Sequence, residues 1–147
     1  MSELTFHKTE RLKSRKVISS LFQRSAKNYT FNVYPIRFIW SSPEAEQASK
    51  IQAGFSVSKK TFKRANQRNT VKRRMREAYR LHKSLIYKAL EENEKQYSLM
   101  FIFNGKEEMT YADIEKSFQM GIKKWIKTLK EVKKTSCKIV QLVFLII

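Results

Sequence analysis

Cysteine, glycine, proline and aspartate are all scarce in this chain, whose 147 residues hold one Cys, three Gly, two Pro and, at Asp113, a single Asp. A lone thiol forms no internal disulfide, and neither His7 nor His82 has Cys or His neighbours at metal-ligand spacing. A disulfide scaffold and a zinc module are therefore excluded. Cys137 has Lys133, Lys134 and Lys138 beside it but no His, and reads as a free thiol rather than a nucleophile. So little Gly and Pro, with apolar residues recurring along most of the length, also excludes collagen and low-complexity disorder. The glutamates fall in surface-like runs such as Glu91, Glu92, Glu94 and Glu107, Glu108, which leaves no carboxylate cage for the metal ions of a self-sufficient nuclease. Gly54, Gly105 and Gly121 match no phosphate-cradling loop. The one long apolar run, Ile139 to Ile147, includes Gln141 and is half the length needed to cross a bilayer. Met1 to Lys16 is polar where a secretory signal is apolar, so a cytoplasmic protein with no membrane partner is expected.

What is abundant is positive charge. Thirty-one Lys and Arg against 13 acids give +18, alongside 41% hydrophobic and 12% aromatic residues. At this length one core is available and a second is not, so the composition describes one basic packed domain. Val17, Ile18, Leu21 and Phe22, with Ser14 placed to cap, predict a short amphipathic helix between Leu12 and Ser25. Tyr29 to Trp40 alternates and changes phase at Pro35, as one bent strand or two short ones do. After a loop over Ser41 to Ser49, Ile51 to Val57 alternates again, and the two regions are expected to pair as a hairpin. A long helix is predicted from Asn66 or Asn69 to about Glu92, where Val71, Met75, Ala78, Tyr79, His82 and Ile86 keep helical period, and the compact apolar run Tyr97 to Phe103 suits a buried central strand. Thr110 with Asp113 resembles a capping box opening a last helix striped by Ile114, Phe118, Ile122, Trp125, Leu129 and Val132. The expectation is an α+β domain: one mixed or antiparallel sheet of about four strands and three helices, in the order α-β-β-(β)-α-β-α. Residues 135–147 form an apolar tail, either packing on the domain as a tail or late strand or remaining unpacked and prone to aggregate.

Between Lys59 and Lys83 eleven cations face one acid, Glu77, so over half the net charge occupies 25 positions. On a helical wheel Arg68, Lys72, Lys83, Arg76, Asn69, Arg80 and Arg73 fall within about 140°, and Leu85, Ala78, Val71, His82 and Met75 fill the adjacent, packing arc. Lys72, Arg76 and Arg80 stack at i,i+4 and repel by a few tenths of a kcal/mol per pair, which an anionic partner offsets. Guanidinium forks engage phosphate oxygens in pairs, so nucleic acid is the expected counterpart. No heptad zipper or compact helix-turn-helix accompanies the basic helix, which argues for RNA, or a single strand, over duplex DNA. Phe22, Tyr34, Phe38 and Trp40 are candidates to stack unpaired bases, with plain core as the competing role for each. His82 lies on the apolar side and reads as a packed or helix-stabilising residue, and His7 as exposed.

Gly54-Phe-Ser-Val-Ser-Lys-Lys60, followed by Arg68-Asn-Thr-Val-Lys-Arg-Arg-Met-Arg-Glu-Ala-Tyr-Arg80, resembles the signature of the bacterial ribonuclease P protein subunit. Arg11-Leu12 and the Phe22 of a first short helix resemble the amino-terminal elements of that family, and the likeness covers about residues 6 to 130. Thr70 stands where the family usually has a second Arg, and the tail lies outside the likeness. The resemblance divides the chain into an RNA-binding domain over 1–134 and a tail of unassigned role, and implies a left-handed crossover around the basic helix. It further implies a protein that binds the catalytic RNA and the 5′ leader of precursor tRNA, while that RNA and its magnesium ions cleave the phosphodiester. Lys59, Lys60, Lys63, Arg64, Arg68, Asn69, Lys72, Arg73, Arg76 and Arg80 would lie on RNA. Arg11, Ile18, Phe22 and Phe38 would line the leader cleft, with Ile18 where a second aromatic is common. The protein itself would hold no metal and no catalytic residue. The competing expectation is a structural RNA-binding protein of ribosomal type with no part in cleavage.

Overall fold

The computed structural model describes residues 5–23, 28–42, 49–91 and 95–146, with side chains described up to residue 130. A short 3-10 turn at Lys8–Glu10 precedes helix α1 (Arg15–Phe22), whose N-cap Ser14 accepts from the Val17 N–H at 3.4 Å. Strands β1 (Tyr29–Val33) and β2 (Ile36–Ser41) follow, joined at a cis Tyr34–Pro35 bond, then β3 (Ile51–Val57), helix α2 (Ala65–Ala89), β4 (Tyr97–Phe103) and helix α3 (Tyr111–Ile146). The strands form one mixed sheet in the order β1-β2-β4-β3. β1 pairs antiparallel with β2 and β2 with β4, whereas β3 runs parallel to β4, from Ile51 beside Tyr97 to Val57 beside Phe103.

This corrects the expected hairpin between the two alternating regions. The hairpin is β1–β2, two strands meeting at Pro35, while β3 lies at the sheet's other edge and α2 crosses from it to β4, which fills the place between β3 and β2. β4 takes the central place because every residue from Tyr97 to Phe101 is buried, so neighbours are needed on both sides and both faces.

Alternation along the strands makes two cores. Ile36, Phe38 and Trp40 of β2, with Tyr97, Leu99, Phe101 and Phe103 of β4, pack on Val71, Met75, Ala78, Tyr79 and Ile86 of α2 and on Ile114, Phe118, Ile122 and Trp125 of α3. The opposite face carries Ile39 and Met100, covered by Leu12 and by Leu21 of α1. Lys50 Nζ donates to the Leu90 carbonyl at 2.8 Å, a cation meeting the open acceptors where α2 ends.

α3 continues as helix to Ile146, which excludes the late-strand reading of the tail. The side chains of that stretch, Cys137 included, lie outside the described residues, as do residues 43–48 of the expected loop and Glu92 and Glu94 of the acidic run.

Candidate nucleic-acid interface

The buried arc of α2 differs from the one expected. Tyr79 and Ile86 are fully buried together with Val71, Met75 and Ala78, while Leu85 is 42% exposed. The packed face is thereby rotated toward the cations by roughly 30°. Lys83, expected on the basic face, is only 2% exposed. Its ammonium donates to both Glu10 oxygens, at 3.1 and 2.9 Å, and to the Thr5 carbonyl, so the charge is neutralised inside the fold.

The remaining cations form one strip. Past β3 the chain turns around Phe62, which is buried against Phe103 and whose N–H bonds back to the Ser58 carbonyl at 3.1 Å. That anchor leaves Lys59, Lys60, Lys63 and Arg64 exposed. Arg68 closes the turn, its Nη1 donating to the carbonyls of Phe62 at 2.7 Å and Lys63 at 2.9 Å. One side of its guanidinium thus shapes the loop on which the lysines stand. Asn69, Arg73 and Arg76 are exposed on the helix beyond, with Lys72 and Arg80 half-exposed at the margins. Thr70 bonds its hydroxyl to the Asn66 carbonyl within the helix, at 2.9 Å, and offers no charge.

Two arginines of the segment have acidic partners. Arg74 turns toward the loop before α3, bonding Glu108 at 3.0 Å and the Met109 carbonyl at 2.7 Å. Arg80 makes a two-point contact with Glu77 at 2.5 and 3.0 Å, and its hydrogen bond holds the Glu77 carboxyl below the usual carboxylate range. Being largely exposed, that pair adds little to stability. His82 Nε2 lies 3.3 Å from Glu115 Oε1 and ties α2 to α3, the structural role expected of it.

A second surface surrounds α1. Leu21 is buried and Val17 and Ile18 are partly so, against Ile39, Met100 and Ile102, while Phe22 at the end of the helix is 52% exposed. Arg11 is exposed, with its guanidinium 5.6 Å from the Phe6 ring. Phe38 does not join them. It is 1% exposed on the other face of the sheet, packed on Phe31, Phe101 and Phe118, and is core. The reason is strand parity: Phe38 shares a face with Ile36 and Trp40, and only the intervening Arg37 and Ile39 face α1. Trp40 is core for the same reason, and Tyr34 is exposed at the β1–β2 turn. Parity instead brings Arg37, Asn32 and Ser56 to the α1 side, with Arg37 Nε held by Thr30 Oγ1 at 3.2 Å. These polar residues were passed over in the sequence because aromatics drew attention to the wrong phase.

Among the described residues no three His, Cys, Asp or Glu side chains converge as a metal cage. Asp113 sits at the start of α3, where its N–H donates to Thr110 Oγ1 at 3.4 Å and its carboxylate accepts from that hydroxyl at 2.9 Å. No helix among the described residues is long and apolar enough to cross a membrane.

These features define a small α+β protein whose densest run of cations lies on one loop and helix. The family model described as Ribonuclease P matches residues 6–126. A ribonuclease P protein component of Porphyromonas gingivalis is 34% identical over 115 residues, 78% of this chain and 82% of that one; that of Chlorobaculum tepidum is 39% identical over 72 residues, 45% and 47% of the two chains. The solved RNase P protein of Staphylococcus aureus shares the fold, with a TM-score of 0.58 over 79% of this chain and 94% of that one, at 22% identity. The chain belongs to the ribonuclease P protein family.

Proposed function

We propose that this chain is the protein subunit of a ribonuclease P, assisting a catalytic RNA in the endonucleolytic removal of the 5′ leader from precursor tRNA in the cytoplasm. The observation that carries this reading is the strip from Lys59 to Arg80, which presents six exposed cations, Lys59, Lys60, Lys63, Arg64, Arg73 and Arg76, inside the segment matched to the family. The strip lies on the catalytic RNA, each neutralised phosphate releasing counterions. The α1 side of the sheet, with Ile18, Phe22 and Arg37, faces the leader, and Arg11 stands at the neighbouring edge of β3. Phe22 supplies a ring for stacking and Ile18 an apolar contact.

Magnesium belongs to the RNA partner in this account, and Glu10, Glu77 and Glu108 of this chain pair with Lys83, Arg80 and Arg74. The protein's part is electrostatic. Placed between two polyanions within about 8 Å, the Debye length at physiological salt, its cations screen ribozyme and substrate from each other and lower the magnesium needed to bring them together. The family match displaces the ribosomal-type reading, which basic charge alone would serve equally well.

The test is the affinity of the reconstituted particle for precursor tRNA against the same tRNA without its leader. The protein is expected to raise affinity for the leader-bearing form selectively, and equal effects on both would overturn the placement of the α1 surface.

A further inference from the structure

The chain amino-terminal to α1 is a strap that crosses the edge of the sheet. Phe6 packs in the core under α2, at 5.6 Å from the Tyr79 ring and 6.0 Å from that of Phe55, while Leu12 packs in the other core with Leu21, Ile39 and Met100. Between them the strap runs along the outer edge of β3. Arg11 forms a parallel bridge with Ala53, the Leu12 N–H donates to the Ala53 carbonyl at 3.0 Å, and Gln52 Nε2 donates to the Thr9 carbonyl at 3.1 Å.

Inside this crossing sits the Glu10–Lys83 pair. Lys83 Nζ directs its three donors at three acceptors of the strap, both Glu10 oxygens and the Thr5 carbonyl. Tyr87 adds an O–H donor to Glu10 Oε1 at 3.2 Å while its oxygen lies 3.2 Å from Ser49 Oγ, and the His7 N–H donates to Glu10 Oε2 at 3.3 Å. A buried ion pair stabilises little compared with two apolar residues of the same volume, but it is directional, and apolar contacts are not. Direction matters at this edge, since a slip of one residue in a strand-like pairing exchanges inward and outward side chains. The slip would send Leu12 out and Arg11 in, and would shift Ser14, which caps α1.

We infer that Glu10 and Lys83, braced by Tyr87, are positioning residues that set the register of the strap on β3, and so hold Arg11 and α1 in the geometry that receives the leader. This rests on the function proposed above. It also links the two RNA-facing surfaces, because Lys83 belongs to the helix that carries the basic strip.

The test uses full-length Glu10→Gln, Lys83→Met, the double Glu10→Leu/Lys83→Met and the milder Tyr87→Phe, each reconstituted with the catalytic RNA. Three quantities are read: affinity for the catalytic RNA, the ratio of affinities for leader-bearing and leaderless tRNA, and hydrogen exchange at the Leu12 amide. Glu10→Gln and Lys83→Met are each expected to keep affinity for the catalytic RNA, to lose at least about fivefold of the leader ratio, the lower end of ordinary coupling between sites, and to exchange faster at Leu12. The double variant restores the melting temperature, since no charge is left buried alone, but not the leader ratio. Restoration of both by the double variant would show the pair to be merely structural and overturn the inference, as would a wild-type ratio and Leu12 exchange in any folded single variant. If a single variant does not fold, the double variant and Tyr87→Phe, for which a smaller loss in the same direction is expected, decide the matter. A wild-type particle with no leader preference would instead refute the proposed function, and the Leu12 exchange would still test the register.

Discussion

At Gly121, inside α3, a Cβ would lie 2.2 Å from Cζ of Phe38 and under 3 Å from two further atoms of that ring. Phe38 is wedged among Phe31, Phe101 and Phe118 and has nowhere to go. Gly121→Ala therefore gains about 0.5–1 kcal/mol of helix propensity but loses about 1–3 kcal/mol to overpacking, and thermal unfolding should show a lower midpoint. Gly54 makes the informative contrast, since the tight contact of its Cβ would be with the flexible end of Met100, at 2.9 Å, with Leu12 Cβ at an ordinary 3.5 Å, and Gly54→Ala should be much the milder change. Met75 is fully buried on the packed arc of α2, so Met75→Asp buries an unpaired charge and should abolish the cooperative melting transition; an unaltered melt would show the arc to be misplaced. Tyr87 gives a pH signature. Burial pushes its hydroxyl up to about 12, and the Glu10 charge adds to the rise against an opposing bond from Ser49. A folded-state value above the unfolded value of 10 means that its contribution to stability is intact below pH 10 and is lost as pH rises from there through about 12. Denaturant titrations across that window should show a shallower decline for Tyr87→Phe than for the wild type.

The element that presents most of the basic strip is α2, and its exposed centre is Asn69, Arg73 and Arg76. Arg73→Glu/Arg76→Glu should weaken binding to the catalytic RNA and reduce the slope of log K against log[salt] by about 2, one for each phosphate contact removed. An unchanged slope would mean that RNA lies elsewhere. Much at this scale was legible in the sequence: the capped first helix, the break at Pro35, the uninterrupted long helix and the central apolar strand all stand where periodicity put them. What failed had physical causes. Alternation in Ile51 to Val57 is the same whether a strand pairs antiparallel with its predecessor or crosses over to lie parallel with a later one, so the false hairpin followed from adjacency in sequence. Lys83 was grouped with the exposed cations because its partner Glu10 is 73 residues away, beyond any local pattern. Tyr79 and Ile86 were the readable signal, apolar residues inside the supposed basic arc that mark where the packed face is centred. At the α1 surface Ile18 and Phe22 stand on one helix, whereas Arg11 lies at the edge of β3 beside Phe6, and Phe38 fails on parity, which β2 displays plainly once Ile36, Phe38 and Trp40 are counted as one face.

For the whole molecule the decisive quantity is the charge of +18 on a fold whose described acids are mostly committed to helix caps and ion pairs. Such a chain approaches a polyanion quickly and, seated between two of them, reduces their repulsion. On the function proposed above, its central consequence is a change in the magnesium requirement of cleavage by the RNA partner. That is measured by the release of 5′ leader from labelled precursor tRNA, titrated with magnesium, for the ribonuclease P RNA alone, the protein alone and the two together. Cleavage at low magnesium only where both are present, converging with RNA alone as magnesium rises, is the predicted result. An identical magnesium profile with and without protein, despite tight binding to the RNA, would contradict the account, and cleavage by the protein alone would place the chemistry on this chain.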